Sequence, residues 1–152
     1  MSRWFVLLGV IATALAAAHF ADHVIRGNIV ITHGLDPNWN HSGWPFQPRI
    51  TPFTPSLFIV SGLLLGGVWG SLRGKLGAGY WLTASIILLC LVSYVHFFST
   101  HAETPYVIFN TYHAVGDSAA GVVAVAVFFS IIAVNSALII LAVRARQKLG
   151  RW

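Results

Sequence analysis

The chain has little of what a soluble protein keeps on its surface. Asp, Glu, Lys and Arg make up 9% of its 152 residues, against roughly 25% in soluble domains. Four acids and nine basic residues cannot cover a domain of this size, which excludes a water-soluble globule. Cysteine is nearly absent. Cys90 stands alone, which rules out an intrachain disulfide and any paired-cysteine metal or redox motif, and within its apolar run it reads as a small hydrophobe. GxSxG, the P-loop and HExxH are also missing, and with them the common signatures of acyl transfer, nucleotide binding and zinc proteolysis. The formal charge of +5 does not point to nucleic acid, because the basic residues cap apolar segments instead of interleaving with exposed aromatics.

What is present in excess is apolar length. Hydrophobic residues reach 57%, with a mean hydropathy of +0.75. Four stretches approach or exceed the roughly 20 residues that cross a bilayer: 5–25, 56–72, 80–98, and a last one that begins within 113–119 and runs to 143. The expected fold is therefore all-α, a single domain over 1–152 built as a four-transmembrane-helix bundle in the lipid bilayer. Met1–Ala18 also fits a secretory leader, with a basic start and an Ala-Ala-Ala ending; cleavage there would make His19 the N-terminus. The reading taken here retains it as the first span.

Charge sets the expected orientation. Arg3, Arg73, Lys75, Arg144, Arg146, Lys148 and Arg151 lie at one set of helix ends, and only Arg26 and Arg49 at the other. The positive-inside rule then puts both termini in the cytoplasm. The residues between the first two spans, 26–55, hold five of the six prolines together with Trp39, Trp44, Phe46 and Phe53. They read as an external 30-residue lid, because long loops without secondary structure are commonly functional. Gly62, Gly66 and Gly70 form a GxxxGxxxG row that invites close helix packing, within the chain, in a homo-oligomer or against another subunit of a membrane complex. Asn135 suggests a break or an inward protrusion of the last span.

Against that frame, all seven histidines and all four acids fall at or beyond the same helix ends, the outer ones under this orientation. The compartment expected is the inner or plasma membrane, with the polar groups facing the periplasm or exterior. The first span ends in His19, Asp22 and His23, which share a helix face through three- and four-residue spacing. The third ends in His96, followed by His101 and Glu103. The last opens with His113 and Asp117, again four apart, after a Thr104-Pro105 pair that reads as an N-cap and first helical residue. Counted at ~1.5 Å per residue, His19 and His96 stand at matched depth.

Imidazole with carboxylate is the ligand set of zinc, copper and non-haem iron, and ionisable residues within spans mark function by default. The expected metal ligands are His19, His23, His96, His101, His113 and Asp117, with Asp22 and Asp117 as catalytic or ligand-orienting carboxylates. His33 and His41 read as structural or solvated. His19 and His96 are alternatively the cofactor-binding pair of a b-type haem in an electron-transfer protein. A His/His/Asp cluster near the outer face of a bundle resembles, in ligand type, the sites of membrane copper monooxygenases; no motif carries over, and no residue is assigned from it. The function expected is a redox enzyme, or a subunit of one, acting on a small or lipophilic substrate. The competing class is an accessory, binding or proton-conducting subunit without metal.

Overall fold

The computed structural model describes residues 3–36, 53–98, 102–148 and 150. It is helical throughout, with no strand among the described residues. The helices are α1 (Arg3–Thr32), α2 (Phe53–Leu72), α3 (Ala78–Ser93), α4 (Pro105–His113) and α5 (Ser118–Lys148), with a π-helical turn, Tyr94–Phe98, continuing α3. Four helical stretches are long and apolar enough to cross a membrane: α1, α2, α3 with its π turn, and α5. α4 is the short exception.

α1 is longer than the sequence suggests. Its 30 residues run about 45 Å at 1.5 Å per residue, so residues 26–32 continue the helix instead of opening the lid. At the other end of the expected lid, residues 53–55 belong to α2, and 37–52, with His41, Trp39, Trp44 and Arg49, lie outside the described residues. α5 is likewise unbroken through Asn135: the side-chain Nδ2 donates to the Ile131 carbonyl at 2.9 Å, one turn back, while Oδ1 is buried without a hydrogen-bond partner.

The chain runs up and down. Trp81, at the start of α3, lies against Gly9 and Gly67, whereas His96, at its end, meets His19 and Phe128. The bundle therefore has a basic end, holding Arg73, Lys75 and Arg144, and a histidine end.

Packing at the basic end turns on one indole. Trp81 is fully buried, and its Nε1–H donates to Ser71 Oγ at 2.9 Å. A Cβ on Gly67 would stand 2.8 Å from the Trp81 ring and 2.7 Å from Tyr80, closer than packed atoms tolerate. The intimate approach of α3 thus falls at Gly67 and Gly9, and of the row Gly62, Gly66 and Gly70 only Gly70 is tight, where a Cβ would collide with Leu76 in the turn after α2. Gly62 meets nothing within 4 Å and Gly66 only the Tyr80 hydroxyl at 4.0 Å, because α3 crosses α2 on the adjoining face. Cys90 is exposed on the outer surface of α3, not buried.

Two glycine turns set helix directions. Gly74, at φ 71°, ends α2: Lys75 N–H donates to the Gly70 carbonyl and Gly74 N–H to that of Ser71, the paired bonds of a Schellman cap. Gly116, at φ 82°, ends α4 the same way, through Asp117 N–H to Tyr112 and Gly116 N–H to His113. That turn reverses the chain into α5.

Candidate metal centre

Three histidines meet at the far end of the bundle. His19 and His23 are one turn apart on α1, so both point to the same side. His96 arrives from α3, and the π turn helps place it. Eight α-helical residues from buried Leu88 would carry His96 about 80° off the buried face. The wider π turn, a form common at functional sites, takes back part of that rotation, and His96 is 2% exposed.

Their Nε2 atoms converge. His19 Nε2 lies 3.2 Å from His96 Nε2 and 3.2 Å from His23 Nε2. Ligand atoms of all three residues fall within 4.8 Å of one another. The site is walled on one side by rings: Phe128 stands 4.6 Å from His96 between centroids, and Phe53 5.4 Å from His23. Phe20 closes against Phe53 at 5.5 Å. The depth match between His19 and His96 corresponds to direct contact in the fold.

On the other side lies a buried ionic network. Arg26, with no exposed surface, donates from Nε to Asp22 Oδ2 at 2.8 Å and from Nη1 to Glu103 Oε2 at 2.7 Å. Glu103 Oε2 is also 3.2 Å from His23 Nδ1, and Arg26 Nη2 is 3.3 Å from that same nitrogen. Tyr112, on α4, donates its hydroxyl to Asp22 Oδ1 at 2.7 Å. Burial first, and then the Asp22 carboxylate, push the Tyr112 phenol above its usual pKa, so it remains a donor through the neutral range. Finally, His96 Nδ1–H donates to the main-chain carbonyl of Glu103 at 2.6 Å. A carbonyl only accepts, so this bond places the proton on Nδ1 and leaves the His96 Nε2 lone pair facing the cluster. His19 Nδ1 is buried without a hydrogen-bond partner.

The arrangement has the chemistry of a cation site. Two imidazoles have their outer nitrogens held by Glu103, the layered support that orients ligating histidines. Arg26 between two carboxylates leaves one net negative charge in a buried place, which a bound cation would offset.

The remaining expected site residues stand elsewhere. His113 is exposed, its Nδ1 2.8 Å from Ser118 Oγ and its ring stacked on Phe109. Asp117 is the N-cap of α5: its Oδ1 accepts from Ala120 N–H at 3.1 Å, satisfying a donor that every helix start leaves open. The structure brings neither into the three-histidine group. Asp22 is one layer out, bound to Arg26 and Tyr112. His101 lies outside the described residues. His33 is exposed in the turn just after α1. Thr104 caps α4 as the sequence suggests, its Oγ1 accepting from Val107 N–H with Pro105 at the helix start.

Sequence reasoning missed Arg26, Glu103 and Tyr112 as parts of the site. Arg26 was legible as an i,i+4 partner of Asp22, a signal hidden by reading it as a membrane-end marker. Glu103 and Tyr112 carry no local signal, since their partners are 77 and 90 residues away. Comparison with protein families, curated proteins and solved structures finds no match.

Proposed function

We propose that this chain is a membrane-embedded transition-metal protein, with His19, His23 and His96 as ligands, and that it works as a redox enzyme or a subunit of one. The observation that carries this is the convergence of three Nε2 atoms, with two separations of 3.2 Å. Three imidazoles at 2.0–2.1 Å from one tetrahedral ion would stand about 3.3–3.4 Å apart. An all-imidazole set suits copper, zinc or iron, and three protein ligands leave a position for substrate or water.

Redox chemistry is favoured over hydrolysis because Asp22 and Glu103 are both engaged by Arg26, and neither is set out as a general base. The walls of Phe20, Phe53 and Phe128 favour a small or lipophilic substrate. Charge asymmetry supports both termini in the cytoplasm, so the centre occupies the outer half of the bundle in an inner or plasma membrane. Haem ligated by His19 and His96 is the rival. Axial imidazoles face each other across a macrocycle, whereas these nitrogens lie 3.2 Å apart with a third imidazole at the same point, which favours a bare ion.

The test is titration of metal-free protein in detergent with Cu²⁺, Zn²⁺ and, without oxygen, Fe²⁺, alongside a visible spectrum of the protein as purified. One tightly bound equivalent supports the reading. A Soret band would transfer the site to haem. Neither metal nor haem would leave an accessory subunit whose polar mouth handles protons, substrate or a partner.

A further inference from the structure

Glu103 touches two of the three histidines by different parts of itself. Its carboxylate faces His23 Nδ1 at 3.2 Å, and its main-chain carbonyl accepts from His96 Nδ1–H at 2.6 Å. It is 3% exposed and sits immediately before the N-cap of α4, so a rigid helix start fixes both groups together. We propose that Glu103 is the positioning residue of the centre, setting the tautomers of His23 and His96 so that both present an Nε2 lone pair to the ion. This rests on the three-histidine metal reading above.

The reasoning for His23 is a competition at one nitrogen. His23 Nδ1 faces an acceptor, Glu103 Oε2, and a donor, Arg26 Nη2 at 3.3 Å. A neutral imidazole carries one proton. If the carboxylate prevails, the proton stays on Nδ1 and Nε2 is free to ligate. If the guanidinium prevails, Nδ1 must offer its lone pair, the proton moves to Nε2, and His23 must give that proton up before it can ligate through Nε2. Both partners are charged, but the carboxylate lies slightly closer and the guanidinium already donates to two carboxylates. Arg26 also holds that carboxylate in place, donating from Nη1 at 2.7 Å. His96 needs no such contest, because its partner is main chain and survives any side-chain change at position 103.

The inference therefore separates the two histidines. Glu103→Ala removes the acceptor at His23 and leaves the donor, so His23 should switch to the Nε2–H tautomer while His96 keeps Nδ1–H. Glu103→Gln retains a carbonyl oxygen within reach and should largely preserve the parent tautomer. Affinity for Zn²⁺ should fall about 10- to 100-fold in Glu103→Ala, the usual cost of losing a partner that orients a ligand, and less in Glu103→Gln.

The experiment is ¹⁵N NMR of the imidazoles in metal-free protein, which reads each tautomer directly, followed by Zn²⁺ titration of the same samples. A switch confined to His23 in Glu103→Ala, with the parent pattern kept in Glu103→Gln, supports the assignment. Unchanged tautomers in Glu103→Ala, or unchanged Zn²⁺ affinity, would overturn it while leaving the metal reading intact. If Glu103→Ala does not fold, Glu103→Leu removes the same acceptor while keeping most of the volume: a switch of His23 to the Nε2–H tautomer there supports the assignment, and unchanged tautomers or unchanged Zn²⁺ affinity overturn it. A parent protein that binds no Zn²⁺ in the presence of Nδ1–H His23 would instead overturn the metal reading and, with it, this one.

Discussion

The two ends of the bundle are built on opposite principles. At the basic end the helices close on Trp81, with Gly9 and Gly67 cut back to admit it and one hydroxyl to take its N–H. Leu64, Leu138 and Ala142 complete an apolar cluster. At the histidine end the same helices bury Arg26, Asp22, Glu103 and three imidazoles. Apolar packing would hold both ends together at lower cost, since taking charges out of water costs several kcal/mol per ion even after relaxation. A fold that, among the described residues, manages without buried charge at one end and concentrates it at the other is not using that charge mainly for stability. The difference teaches where to look for function.

Each half can be broken separately. The largest effect on stability is expected from Arg26→Met, which strands two buried carboxylates; removing one partner of a buried ion pair typically costs about 3–5 kcal/mol. Thermal unfolding in detergent should show it. Trp81→Ala should cost a similar ~3–5 kcal/mol by leaving a cavity, yet metal content per folded chain should stay at the parent level. If Trp81→Ala also empties the centre, the two ends are coupled and the comparison fails.

His19→Ala and His96→Ala should reverse that pattern, abolishing metal retention while the bundle stays assembled, because little apolar contact is lost. His33→Ala should keep the metal. Asp117→Ala should cost about 1 kcal/mol through loss of its cap on α5 without changing metal affinity; a large affinity loss would return Asp117 to the ligand set. The smallest effect on folding is expected from Gly66→Leu. A Cβ at that position meets only the Tyr80 hydroxyl at 4.0 Å, so the monomer should accept it. If Gly62 and Gly66 form a contact between copies or subunits, cross-linking yield should fall; unchanged association would make that face lipid-exposed.

The four long helices were legible because each is set by an apolar run that no tertiary contact need supply. The start of α4 was legible too, since Thr104-Pro105 is a local signal. His19, His23 and His96 were found by face-sharing and depth, which depend only on helix geometry. The end of α1 was misread because Arg26 resembles a membrane-boundary residue; its pairing with Asp22 is a local i,i+4 signal, but its second carboxylate, Glu103, lies 77 residues away. Asp117 and His113 looked like ligands by spacing alone. Helix capping competes for Asp117, and spacing cannot reveal which demand prevails. Of the glycine row 62, 66 and 70, only Gly70 is closely approached, by Leu76 of the following turn, while the crossing of α3 is set by Trp81 and lands on Gly67, one residue off the row.

Metal content per chain, measured by elemental analysis on protein purified from membranes, tests the central claim most directly when parent and His19→Ala are compared. The account predicts close to one transition-metal ion per parent chain and almost none in His19→Ala, with both proteins helical and equally assembled. An empty parent that also fails to take up Cu²⁺, Zn²⁺ or Fe²⁺, or equal metal in the two proteins, would contradict it.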